Sequence, residues 1–390
     1  MLENRTRRRF LAQFGALSAA ISTPGWMSQL ARAQPGGAAR SGFAYVGSFT
    51  SESRNARGNG INVYRVDPVS GDWGHVQRVD EVNPSFLALD RSRRFLYSAH
   101  ADMSHATAFA IDPTSGRLTL LNREDTGGTN GVHVAVDASN RFLVVSNYAS
   151  GSMAVLPINE DGSLGPRSDL FELQGSPGPH PTQQTSSHPH HNPFDPEGRF
   201  LLVPDKGLDK VFVFRVDVAS GTLVPADTPS VSAQPGAAPR HADFHPALPY
   251  AYVLNELDST LAVYDYSENG ALRRKQLLST LPDGFTERNT TAEIAMHPSG
   301  RFLYASNRGH NSIVAYAVDQ TSGELSLLGW TPSGGETPRY FGIDPSGTRL
   351  YACNQDSDNI VAFRIDPATG ALTPVGQVAE TGSPVTIVFG

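Results

Sequence analysis

The chain has 390 residues, 39 % of them apolar, with 31 Lys+Arg against 38 Asp+Glu and a formal charge of −7. This composition argues against a multi-span membrane protein and against a basic nucleic-acid binder. Gly and Pro, 37 and 28 residues, together make one position in six, which points to a chain broken by many turns and away from helical bundles. The single cysteine, Cys353, excludes an intramolecular disulfide framework and a cysteine-rich zinc or iron–sulfur centre.

The first predicted element is an address. Thr6-Arg7-Arg8-Arg9-Phe10-Leu11 is a twin-arginine signature, followed by a weakly apolar run over 10–21 and the small-x-small site Ala31-Arg32-Ala33. The run falls well short of the ~20 residues that span a bilayer, so a cleaved signal peptide is predicted over 1–33 and a linker over 34–41. The export machinery is the implied partner, and the mature protein is expected in the periplasm or secreted, with no membrane insertion. Cleavage removes five Arg and one Glu and takes the formal charge to −11. Nucleic acid and anionic lipid become still poorer partners.

From residue 42 onward the chain is one unit repeated. The pattern Asp-Pro-x-Gly-Arg-Phe-Leu-Tyr-x-x-Asn recurs with its last position at Ser48, His100, Asn147, Asp205, Asn255, Asn307 and Asn354, at intervals of 47 to 58 residues. A second anchor, aromatic or leucine, follows in an alternating strand at Tyr64, Phe109, Leu156, Phe214, Tyr264, Tyr316 and Phe363. Each unit holds about four short alternating runs bounded by Gly, Pro, Asp or Asn, and none long enough for a stable helix. Four strands per ~50 residues is a propeller blade. The predicted fold is therefore all-β: a seven-bladed β-propeller over 42–390. Phe43 to Gly47 reads as a second strand and Ser383 to Phe389 as an inner one, so the C-terminal strand should complete the N-terminal blade and remove an open edge.

Positions that vary around a ring separate site from scaffold. At the end of the inner strand the series Asp90, Asp137, Asp195, His245, His297, Asp344 is of turn-forming type, so His245 and His297 are expected to be structural. Four residues earlier stand Phe86, His133, His191, His241, Glu293 and Tyr340, preceded in three blades by His190, Arg240 and Arg339. One past the first anchor stand Phe49, Ala101, Tyr148, Lys206, Glu256, Arg308 and Gln355. Both series should open on one face around the central channel. They form either a site for an oxygen-rich, partly anionic small molecule or a polar lining whose groups satisfy one another. Cys353, in an apolar strand, reads as a small buried residue. The tract from Gln174 to His191 absorbs the longest interval and is expected to be a flexible lid or rim. Its His188, His190 and His191 lack a nearby carboxylate, so no metal site is predicted.

Seven segments carry a family resemblance. They are Tyr45 to Thr50; His188-Pro189-His190 leading into Gly198 to Asp205; Pro239-Arg240-His241; Val253 to Leu257; Leu281-Pro282 through Thr290 to Ile294; Ser306 to His310; and Pro338 to Phe341. On these the chain resembles the seven-bladed propeller lactonases, a family that includes propeller-type 6-phosphogluconolactonases and the fungal carboxymuconate cyclase. The resemblance implies a catalytic group of His190, Arg240, Glu256 and Arg308, acting without cofactor or metal on a lactone or sugar acid. Ring opening needs an activated water, donors for the carbonyl oxygen and a proton for the leaving alkoxide. Glu256 is the expected base, Arg240 and Arg308 the donors, and His190 the proton source. His133, Tyr148, His188, Lys206, His241, Glu293 and Arg339 are the expected substrate-binding residues. A cycloisomerase using the same donors, or a non-catalytic propeller scaffold, is the alternative. Phosphate on the substrate is not expected for an exported enzyme.

Overall fold

A computed structural model describes residues 42–390; the expected signal peptide and linker lie outside them. Seven antiparallel sheets follow one another around a ring, each running from an inner strand outward. Blade 1 combines Pro384–Phe389 with Gly42–Ser48, Ile61–Val66 and Trp73–Val79. Blades 2 and 3 begin at Pro84–Leu89 and Gly131–Val136, and blades 5, 6 and 7 at Pro239–Phe244, Thr290–Met296 and Pro338–Ile343.

Blade 4 departs from the expected four-stranded ladder. Its sheet has three regular strands, Leu201–Asp205, Lys210–Asp217 and Thr222–Ser232. The inner run, 188–195, pairs with Leu201–Asp205 through the isolated bridges Pro189 to Asp205 and Phe194 to Leu201 and through scattered backbone hydrogen bonds, such as His190 N–H to the Pro204 carbonyl at 2.9 Å. Pro189 and Pro193 have no N–H to give a ladder, so the run keeps its place but loses regular pairing. The preceding tract, expected to be a flexible lid or rim, is pinned down. Buried Gln184 donates to the Lys206 carbonyl and to Asp209, at 2.9 and 2.7 Å, and Ser187 donates to Asp205.

Packing between blades supplies the core. Second and third strands bury both faces, as in Phe142–Asn147 and Tyr250–Asn255, because each sheet is sandwiched between two others. Tyr252, Leu254 and Val263 of blade 5 meet Ile294, Leu303 and Val314 of blade 6 in one cluster. Cys353 is fully buried where blade 7 meets blade 1, as expected of a small core residue. Tyrosines of three second strands tie their sheets to the next: the Tyr97, Tyr252 and Tyr304 hydroxyls donate to the carbonyls of Gly162, Gly323 and Gly370 at 2.8–3.0 Å. Those three glycines have positive φ, and a Cβ on Gly323 would come within 2.3 Å of the Tyr250 ring, which is why the repeat keeps glycine there.

The ring closes through its two ends. Pro384–Phe389 pairs antiparallel with Gly42–Ser48 from Ala44–Phe389 to Ser48–Pro384, and Phe43 and Gly390 exchange backbone hydrogen bonds. The turn series also takes the form expected. Asp90 and Asp137 each accept the N–H groups four and five residues on, at 2.7–2.8 Å. His245 and His297 accept nearby N–H groups through Nδ1 and reach Gly300 and Gly347 carbonyls of the next blade through Nε2. Both are turn residues.

Candidate active site

The channel mouth owes its chemistry to a repeated irregularity. In blades 2, 3, 5 and 7 the inner-strand register jumps by one residue, as where Pro239 pairs with Asn255 but His241 with Leu254. Such a bulge breaks the in–out alternation, so consecutive residues such as Arg240 and His241, or Arg339 and Tyr340, can both serve the channel. Blade 6 sets Ala292 and Glu293 against a single partner position. The bulges are entered through left-handed residues, Ala238 at φ 60° and Thr337 at φ 58°. Such backbone is strained outside glycine. Carboxylate and amide oxygens hold it: Ala238 N–H donates to Asp209 and Thr337 N–H to Asn311, at 2.7 and 3.0 Å.

These residues line a partly open cavity of about 210 Å³, which admits a small polar molecule. Of the eleven residues singled out in the sequence, nine line it: Tyr148, His190, Lys206, Arg240, His241, Glu256, Glu293, Arg308 and Arg339. His133 and His188 do not. His133 lies buried against Phe86 and His191, with Nδ1 on the Asn192 amide oxygen. His188 stacks on Tyr148 with centroids 4.5 Å apart and places Nδ1 2.9 Å from the Tyr148 carbonyl. Both stand behind a lining residue. Gln355 of the second series is also absent from the lining.

Glu256 is the electrostatic centre. Its carboxylate lies 2.8 Å from Lys206 Nζ, 3.0 Å from Arg240 Nε and 3.3 Å from Arg308. Burial alone would raise its pKa, but Arg308, Lys206 and Arg240 outweigh burial and hold it well below the usual carboxylate range. A carboxylate so stabilised is a weak base. The expectation that Glu256 activates water therefore conflicts with its surroundings, which fit it to gather and aim cations. Arg240 also donates to the Ala292 carbonyl, Arg308 to the Thr291 carbonyl at 2.6 Å, and Lys206 to Gln183 at 2.7 Å.

Glu293 is the opposite case. It is buried, with Oε1 2.9 Å from His241 Nδ1 and Oε2 without a partner among the described residues. Burial pushes its pKa up to about 8 against the lowering effect of Arg240. His241 Nε2 in turn lies 3.2 Å from His190 Nδ1. Burial and then Arg240 push both histidines well below the usual imidazole value.

The Arg339 guanidinium makes no hydrogen bond or ion pair among the described residues and lies over the Phe49 ring at 5.0 Å. Arg54, which the sequence reading missed, covers the same ring at 4.5 Å while pairing with Asp102 at 2.6 Å. It comes from a short 3₁₀ turn, Glu52–Arg54, only five residues past Phe49. Reading further along that loop would have found it.

Away from the pocket, Glu81, His100 and His105 bring possible metal-ligand atoms within 4.8 Å of one another. His100 already uses both nitrogens, Nδ1 on the Val82 carbonyl and Nε2 on Thr107, and Glu81 holds Arg123. His100 thus does the work of the anchor Asn307, whose amide donates to the Thr280 carbonyl. In the histidine tract, His188, His190 and His191 spend their Nδ1 atoms on three different partners.

Known proteins share this ring. The family profile described as "Lactonase, 7-bladed beta-propeller" matches residues 43–389. The 6-phosphogluconolactonase of Bacillus subtilis is 35 % identical over 307 residues, covering 77 % of this chain and 85 % of the relative. That of Formosa agariphila is 36 % identical over 313 residues, 77 % and 86 % of the two chains. The solved periplasmic gluconolactonase of Pseudomonas aeruginosa superposes with a TM-score of 0.83 at 32 % identity, covering 90 % of this chain and 99 % of that one. Profile, identity and superposition agree with the repeat and with the cation-lined channel: the chain belongs to the seven-bladed β-propeller lactonase family.

Proposed function

We propose that this protein hydrolyses a sugar-acid lactone in the central pocket, and that its substrate is an unphosphorylated aldonolactone met in the periplasm. The observation that carries the hydrolytic reading is the charge count at the mouth. Five lysine and arginine residues line the pocket; Arg54 is paired with Asp102, and the other four, Lys206, Arg240, Arg308 and Arg339, face one firmly ionised carboxylate, Glu256. Opening a lactone turns a neutral ester into an oxyanion and then a carboxylate, so a preorganised cationic excess binds the transition state more tightly than the substrate. Arg339, whose guanidinium has no hydrogen bond or ion pair among the described residues, and Arg240, aimed by Glu256, are the donors for the carbonyl oxygen. Arg308 and Lys206 complete the positive field. Tyr148, backed by His188, offers a face and a hydroxyl to the sugar. His190 handles the proton between water and the leaving alkoxide. These cations provide the electrophilic assistance that a metal would otherwise supply.

The substrate preference rests on the twin-arginine segment and on likeness to a relative named as periplasmic gluconolactonase. Relatives named 6-phosphogluconolactonase favour the phosphorylated form instead. Kinetics of the purified protein on plain and 6-phosphorylated gluconolactone, with and without chelator, decide between them. The expected result is chelator-independent hydrolysis with the higher kcat/KM on the plain lactone. A higher kcat/KM on the phosphorylated lactone would overturn the substrate assignment, and hydrolysis of neither would overturn the lactonase reading.

A further inference from the structure

We propose that Glu293, acting through His241, is the proton reservoir for His190, so that the three side chains form a carboxyl–imidazole–imidazole relay ending at the central pocket. The inference rests on the lactonase reading and goes beyond it, because neither Glu293 nor His241 then touches the reacting atoms. Its basis is geometric. Two consecutive short contacts, 2.9 and 3.2 Å, use Nδ1 and Nε2 of His241 and Nδ1 of His190. They leave His190 Nε2 as the one nitrogen of the chain of three without a partner among the described residues. The relay spans three blades: Glu293 comes from the blade 6 bulge, His241 from that of blade 5 and His190 from the inner run of blade 4.

The relay resolves a difficulty with His190. Arg240, Arg339 and Lys206 around it oppose a positive charge, as does burial, and Glu256 only partly offsets them. His241 faces the same opposition from Arg240, His191 and His133. Neither imidazole can keep an extra proton near neutral pH. Glu293 can: Arg240 and Arg339 favour its anion, Asp243 and burial favour its neutral form, and the balance falls near pH 8. Tyr340 and Cys353 also border it, and burial pushes both well above their usual values, so neither titrates in this range.

With Glu293 ionised, both imidazoles carry their protons on Nδ1, and His190 Nε2 is an acceptor. Water oxygen bonds to the lactone carbonyl carbon while its proton passes to His190 Nε2. The Nδ1 proton of His190 moves to His241 Nε2, and the Nδ1 proton of His241 moves to Glu293. The relay is now neutral throughout, and the single negative charge lies on the tetrahedral oxyanion among the arginines. When the ring C–O bond breaks, His190 Nε2–H protonates the leaving alkoxide and the two transfers reverse. The hydroxy acid gives its own proton to solvent.

Glu293→Gln keeps the shape and can still accept from His241, but it cannot take up a proton. Turnover should fall about 10²- to 10³-fold with KM little changed. The rise of wild-type kcat/KM through about pH 8 should vanish with it, and Glu293→Asp should restore part of both. Glu293→Gln with kcat within a few-fold of wild type and the same pH limb would overturn the relay. Histidine ¹⁵N spectra test it without any activity. In the wild type, His190 and His241 should switch together from Nδ1–H to Nε2–H as the pH falls through about 8, and in Glu293→Gln they should not. Independent or absent switching in the wild type would overturn the relay even if a lactone is hydrolysed. A coupled switch in a protein that opens no lactone would instead sink the lactonase reading and leave the relay standing.

Discussion

A chain ending at residue 382 should fail to give a cooperative melt and should aggregate. The deletion removes the inner strand of blade 1 and leaves Ala44 to Ser48 as an open edge on the channel side. It also uncovers the blade 1–blade 7 cluster, where Ile387 is 1 % exposed and Phe389 lies against Trp73 and Tyr351. Burying Val385 and Ile387 contributes roughly 3–6 kcal/mol at about 1.5–3 kcal/mol per side chain, and the partly buried Val388 and Phe389 add to it. That is comparable with the ~5–15 kcal/mol by which a typical domain is stable. Thermal melting and size-exclusion chromatography check it. A monomeric truncation with one sharp transition would show that the ring does not need this closure.

Glu256→Gln should destabilise the protein as well as slow it. The substitution keeps the shape but leaves Lys206, Arg240 and Arg308 crowded and uncompensated, and breaking a buried ion group of this kind costs about 3–5 kcal/mol. Arg240, no longer aimed by the carboxylate, should lose its place as a donor, so turnover should fall at least ~10²-fold. The pH dependence has a definite sign. Glu256 has a depressed folded pKa, so its stabilisation is present above about 4.5, its ordinary value, and is lost as the pH falls through the lower folded one. The variant should lack that stabilisation at neutral pH, and its difference from wild type should narrow in strong acid. Melts from neutral to strongly acidic pH, beside kcat, separate the roles. A wild-type melting temperature with only kcat reduced would return Glu256 to the part of general base.

The fold was legible because its signals repeat. Two anchors recurring every ~50 residues specify a blade, and the complementary runs at Phe43 and Ser383 specify closure. Blade 4 departs where local chemistry overrides the repeat, since Pro189 and Pro193 cannot donate to a ladder. The site was legible in position, because equivalent residues of successive blades converge on one axis. Its electrostatics were not. Nothing in the order Asn255-Glu256-Leu257 reveals three cations drawn from blades 4, 5 and 6, and nothing around Glu293 reveals that burial will hold it neutral. Those properties belong to distances across blades. His133 and His188 were singled out by type and spacing, yet a side chain one layer behind the lining has the same sequence signature as one within it. Arg54 escaped because its position has no counterpart in the repeat.

The central claim is that the arginines at the channel mouth stabilise the oxyanion of an opening lactone. Steady-state kinetics of wild type and Arg240→Ala on the lactone best hydrolysed by the wild type test it most directly. The account predicts a fall in kcat/KM of about 10²- to 10³-fold, with the variant still folded at the assay temperature. An unchanged kcat/KM in folded Arg240→Ala would place the chemistry elsewhere and contradict the account.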